Sequence, residues 1–155
     1  MREQSTAFQD CYPDDYAHCY GCGHLNEQGL RIKSYWDGEE SICQYDPPKK
    51  YTGGFPDYLY GGLIASLIDC HSAATASAAR CRAAGIDLEA QALPRHVTAA
   101  LKIDYLKPTP VETVTLKSRV LEITGKKVVV ETTLSAGGMV RAKGEAVMVL
   151  IERNG

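Results

Sequence analysis

The chain has 155 residues, of which 45% are hydrophobic and 23% charged, and a formal net charge of -2. That length suggests one compact domain, residues 1–155, with room for a sizeable core, and the composition is ordinary for a globular protein. A charge so near neutral gives nucleic acid or an acidic membrane surface no footing as a partner.

Residues 1–28, rich in Cys, Tyr, His and Gly, show no clear periodicity and read as an irregular arm. No basic, apolar leader opens them, so a cytoplasmic location is expected. The six cysteines (Cys11, Cys19, Cys22, Cys43, Cys70 and Cys81) are then expected as reduced thiols. "LRIKSYW" and "SICQYD" flank "DGEE", a hairpin with Asp37-Gly38 in its turn. "PPKKYTGGFPDY" is a Pro/Gly-rich loop. A long helix over 61–84 follows, with Gly85 as its stop.

Four strands are expected within 95–151. In the first, Val97, Ala99, Leu101, Ile103 and Tyr105 alternate against a polar side that includes His96, Lys102 and Asp104. In the last, Val140, Ala142, Ala146, Met148 and Leu150 alternate against Arg141, Lys143 and Glu145. The order β-β-α-β-β-β-β gives an α+β domain with one helix lying on an antiparallel sheet.

The helix "GGLIASLIDCHSAATASAA" is about as long as a membrane span, yet its small residues and central acid argue against insertion. At 100° per residue, Leu63, Leu67, Cys70, His71 and Ala74 form a bulky stripe. Ala65, Asp69, Ser72, Ala73 and Ala76 form a small face that carries the only formal charge between Gly61 and Ala79. Solvated helix faces normally carry Lys, Glu and Arg, so Asp69 is expected to be semi-buried for a reason. Gly61-Gly62 opens the helix, where free N–H groups attract developing negative charge. Asp69 follows about two turns later, roughly 10 Å along the axis. Side-chain reach and a water close that gap. An oxyanion donor and a carboxylate base on one helix suit acyl transfer or hydrolysis.

"YGGLIASLIDCHSAATA" resembles the HGG-to-Asp helix of hotdog-fold thioesterases of the PaaI-like, phenylacetate-pathway type. "IDYLKPTP", "VRAKGEAVMVL" and "CYGCGHLNEQGLRI" resemble further family motifs in the same order, covering residues 19 to 150. The resemblance implies a sheet wrapped around a central helix, and homodimers joined sheet edge to sheet edge that pair into homotetramers. It also implies an acyl-CoA or other acyl-thioester substrate, with no metal or organic cofactor. Asp69 then matches the catalytic nucleophile or general base, and Gly61 the oxyanion donor. Thr98 matches a hydroxyl that holds the water or carboxylate across the dimer interface. Gly62 and Gly54 would line the substrate. Lys126 and Lys127 are candidates for the CoA phosphates, among the scattered cations Arg95, Lys107, Arg141 and Lys143. Tyr60 departs from the pattern, standing where the family carries histidine. Its hydroxyl can donate a hydrogen bond but takes no proton near neutrality.

Cys19 and Cys22 have the spacing of half a zinc site, with Cys11, His18 and His24 nearby, but no second Cys-x-x-Cys exists. A structural turn without metal is expected. Cys70 and Cys81 are expected as small hydrophobes, and His71 as a core histidine with one satisfied nitrogen. Three readings stand: an acyl-CoA thioesterase, a hotdog module that binds an acyl thioester with little or no cleavage, and a hydratase, whose usual Asp/His arrangement is not found here.

Overall fold

A computed structural model describes residues 6–152; the ends of the expected 1–155 domain, with the first five residues of the arm, lie outside them. The element order is β1 (Ser34–Asp37), β2 (Glu40–Tyr45), α1 (Gly61–Ala83), β3 (Arg95–Tyr105), β4 (Val114–Thr124), β5 (Lys127–Ala136) and β6 (Met139–Ile151). The six strands form one antiparallel sheet in the order β1-β2-β4-β5-β6-β3. The expected order and the hairpin at Asp37-Gly38 are both present; Gly38 takes the positive φ that its turn requires.

Helix α1 packs across β3, β4, β5 and β6. Gly85, at φ +70, closes it: Ile86 N–H donates to Cys81 O and Gly85 N–H to Arg82 O. This pairing satisfies carbonyls that the helix end would leave orphaned. No helix among the described residues is long and apolar enough to cross a membrane.

The arm is not a loose extension. It folds over the side of α1 away from the sheet through short 3-10 turns at Phe8–Cys11 and Asp14–Tyr16. Phe8, Tyr12, Ala17, Cys22, Leu30 and Ile32 join Leu63, Leu67 and Leu116 in one core, and Phe8 meets Trp36 edge-on at 5.1 Å. The helix is therefore covered on both sides, and even Ser72 and Ala76 on its small face are fully buried.

Two glycines let its neighbours come close. A Cβ on Gly144 of β6 would stand 2.6 Å from Ile68 Cγ2, and one on Gly21 of the arm 2.2 Å from Cys70 Sγ. Ile68 and Cys70 flank Asp69, so the helix is gripped from both sides at the turn that carries its carboxylate.

Candidate active site

A bulge in β3 decides which side chains meet the helix. The pairing with β6 slips between Thr98 and Ala100. An extra residue in one strand reverses the alternation beyond it. His96 and Thr98 before the bulge therefore share the helix-facing side with Leu101, Ile103 and Tyr105 after it. This corrects the sequence reading, which kept one phase throughout and put His96 on the polar side. His96 is buried, with Ser77 Oγ 2.9 Å from its Nδ1 and Arg80 Nε donating to Nε2 at 3.1 Å. Burial and the nearby Arg80 and Arg95 charges lower its pKa to about 4. A second slip, between Leu134 and Ser135, leaves Val140 exposed rather than in phase with Ala142.

Thr98, so placed, donates to Asp69 Oδ1 at 2.5 Å. Within this chain the hydroxyl meets the carboxylate directly. Asp69 is half-buried, and among the described residues nothing donates to its Oδ2. Helix positions Gly62, Ala65, Ser66, Asp69 and Ala73 remain partly open. Ser72 and Ala76 do not share that stripe, contrary to the wheel. Ser72 Oγ instead meets Thr132 Oγ1 of β5 at 2.8 Å.

The helix start is held by a short hairpin over residues 51–60. Gly53 N–H donates to Tyr58 O, Tyr60 N–H to Tyr51 O, and Leu59 N–H to Thr109 O. Tyr60 is the N-cap, with no side-chain cap, and its carbonyl accepts from the N–H groups of Leu63 and Ile64. The N–H groups of Gly61 and Gly62 keep no acceptor among the described residues. Tyr105, at the far end of β3, donates its hydroxyl to Gly61 O at 2.8 Å and fixes that peptide. Its role was not legible in the alternation. Tyr60 is 56% exposed with its ring over Gly62, where a Cβ would lie 2.3 Å from ring carbons.

One strand and one helix thus bring Asp69, Thr98, Gly61, Gly62 and Tyr60 along the same open stripe. The other candidates are elsewhere. Gly54 lies exposed at the hairpin tip. Lys126 sits in the β4–β5 turn and Lys127 opens β5, paired to Glu122 at 2.9 Å, and no contact among the described residues joins either lysine to Asp69.

His71 is a core histidine with both nitrogens satisfied. Thr75 gives its one hydroxyl hydrogen to His71 O, so Ser41 donates to Thr75 and must accept from His71 Nε2–H. Gln9 Nε2 donates to Ser34 Oγ, whose own hydrogen goes to His71 Nδ1 at 2.7 Å. The network fits only a neutral ring. Full burial lowers the His71 pKa to about 4.

Cys70 is no simple hydrophobe either: its Sγ lies 3.7 Å from Cys19 Sγ. Hydrogen bonds from Cys22 and Cys70 hold the Cys19 pKa far below the usual thiol range, while Cys22 is pushed up to about 12.

A family model described as the thioesterase superfamily matches residues 57–143. The chain is similar to the crystal structure of a thioesterase superfamily protein from Shewanella loihica PV-4. They are 44% identical over 91% of this chain and 100% of that one, with a TM-score of 0.68. It shares its fold with the PaaI protein of the E. coli phenylacetic acid degradation operon, at 17% identity over 79% of this chain and 81% of that one (TM-score 0.64). A Streptococcus mutans protein bound to acetyl-CoA is alike at 18% identity over 84% and 98% (TM-score 0.63). No curated protein matches the sequence. The one-helix, six-strand architecture is the hotdog fold expected from the resemblance.

Proposed function

The chain belongs to the thioesterase superfamily, and from that premise we propose that it hydrolyses an acyl thioester of coenzyme A to the free acid and CoA-SH. One observation carries the reading. Among the described residues, Asp69 has one carboxylate oxygen tied to Thr98 and the other unengaged, on the helix whose first N–H groups have no acceptor.

The thioester carbonyl oxygen sits at the N–H groups of Gly61 and Gly62, where the helix start stabilises the oxyanion. Thr98 fixes the carboxylate so that Oδ2 faces the substrate carbon. Asp69 then removes a proton from water as it attacks, or attacks the carbon itself and is released by water. Either route breaks the C–S bond, and the CoA thiolate leaves with a proton. Each step draws on this chain's own groups. The acetyl-CoA bound by the Streptococcus mutans neighbour supports coenzyme A as the carrier.

A second reading rests on Tyr60. Its hydroxyl has no hydrogen-bond partner among the described residues, and it stands where the family carries histidine. A chain so altered could hold an acyl thioester and cleave it slowly. A panel of acyl-CoA substrates with a free-thiol readout separates the two. Turnover well above the Asp69→Asn background supports hydrolysis; saturable binding without thiol release supports the second reading. Tyr60→Phe is expected to cost little, and Tyr60→His to raise turnover if this position has weakened the site.

A further inference from the structure

We propose that Cys19, Cys22 and Cys70 form a three-thiolate site for a soft d10 cation, zinc(II) or copper(I), joining the N-terminal arm to helix α1. The sequence shows half a site. Folding supplies the third sulfur from 48 residues further along the chain.

The three Sγ atoms lie within 4.8 Å of one another, and Cys19 and Cys70 are 3.7 Å apart. Metal–sulfur bonds of about 2.3 Å require sulfurs roughly 3.8 Å apart, so the cluster closes on a cation with small rotamer changes. The backbone is built around this contact. Gly21 has no room for a Cβ because Cys70 Sγ occupies that space, and a Cβ at Gly23 would stand 2.4 Å from Ala17 O and Cys19 N. The turn is secured by Gly23 N–H to Cys19 O at 2.8 Å and Leu30 N–H to Tyr20 O at 2.7 Å. Cys22 and Cys70 are buried while Cys19 is half-buried, so the cluster reaches solvent on the Cys19 side, where a cation could enter. Three soft thiolates select zinc(II), with water completing a tetrahedron, or copper(I) in a trigonal set, over magnesium or calcium. The ligands bind as thiolates, so protons still held by the cluster leave as the cation enters.

The test uses the full chain, reduced and stripped with chelator, then titrated separately with cobalt(II), zinc(II) and copper(I) against chromophoric competitors. One equivalent per chain is expected, with a thiolate-to-cobalt charge-transfer band. The zinc and copper arms identify which cation is held more tightly. Cys70→Ser should weaken binding at least tenfold, and Cys43→Ser, which alters a buried thiol of β2 outside the cluster, should not change it. Should Cys70→Ser fail to fold, wild type still decides the matter: bound cation must protect Cys19 from iodoacetamide, read by mass spectrometry. The proposal is overturned by no retained equivalent, by affinity unchanged in folded Cys70→Ser, by alkylation of Cys19 unaffected by metal, or by a Cys19 disulfide whose reduction yields no metal uptake.

Discussion

Thr98 of β3 holds Asp69 of α1 by one carboxylate oxygen, across the gap between the edge strand and the central helix. Under the proposed mechanism, Asp69→Asn keeps the size and polarity of the side chain but removes the basic, nucleophilic oxygen. The turnover number for an acyl-CoA should fall on the order of a hundredfold or more with the fold intact. Thr98→Ala should cost roughly tenfold by freeing the carboxylate, and Thr98→Ser should restore most of it. Steady-state kinetics on folded variants checks all three; an Asp69→Asn protein retaining most of the wild-type turnover removes Asp69 from the chemistry.

The close approach of Gly144 to Ile68 predicts a stability effect. Ile68 is fully buried, so its side chain cannot swing into solvent to make room for a methyl group. Gly144→Ala should destabilise the protein by about 1–3 kcal/mol, the usual cost of overpacking a core. The urea midpoint is the readout. Because Ile68 adjoins Asp69, the same variant should also lose turnover, whereas a midpoint equal to wild type would mean that the helix moves freely at this turn.

The His71 network sets a pH dependence. Unfolded, His71 takes a proton near its ordinary pKa of about 6.5; folded, it resists until about 4. The unfolded state therefore binds more protons between those values, and stability falls as pH falls from about 6.5 to about 4. In that window His71 costs about 1.4 kcal/mol per pH unit, and about 3 kcal/mol in all. Urea unfolding at pH 7.5 and 5.5 should show a loss of about 1 kcal/mol from this group, with His96 acting in the same direction. Equal stability at the two pH values would mean that folding leaves the proton affinity of His71 unchanged.

Local signals made much of this structure legible. Small residues, a lone acid and Gly85 marked the helix, and period-two alternation marked the strands. What sequence could not give was phase and distance. One extra residue at Ala99 turns His96 inward and delivers Thr98 to Asp69, and nothing in "HVTAALKIDYL" announces a bulge. Cys70 looked apolar because its sulfur partners lie some fifty residues away. The arm looked irregular because its apolar residues are spaced to fit the helix surface rather than any period of their own.

Last is the assembly. The two sheet edges are unequal: β1 has four residues, while β3 has eleven and, among the described residues, pairs only with β6. Long uncovered edges invite pairing, and proteins commonly blunt them with charge, bulges or cover. β3 carries a bulge, yet around it the strand presents Thr98, Ala99 and Ala100, all exposed and uncharged. The neighbouring helix stripe of Gly62, Ala65 and Ala73 is small enough for a second backbone to approach. Arg80, further along the same helix, has its Nη2 buried with no hydrogen-bond partner among the described residues. A second copy of the chain laid along β3 would continue the sheet and cover the stripe. Light scattering should then give at least twice the 16.9 kDa of one chain. Ala100→Glu, which places like charges near one another where two β3 edges meet, should shift the mass toward one chain and lower activity with it. A wild-type mass of one chain at working concentration would refute this arrangement and leave Asp69 to act with the groups of its own chain alone.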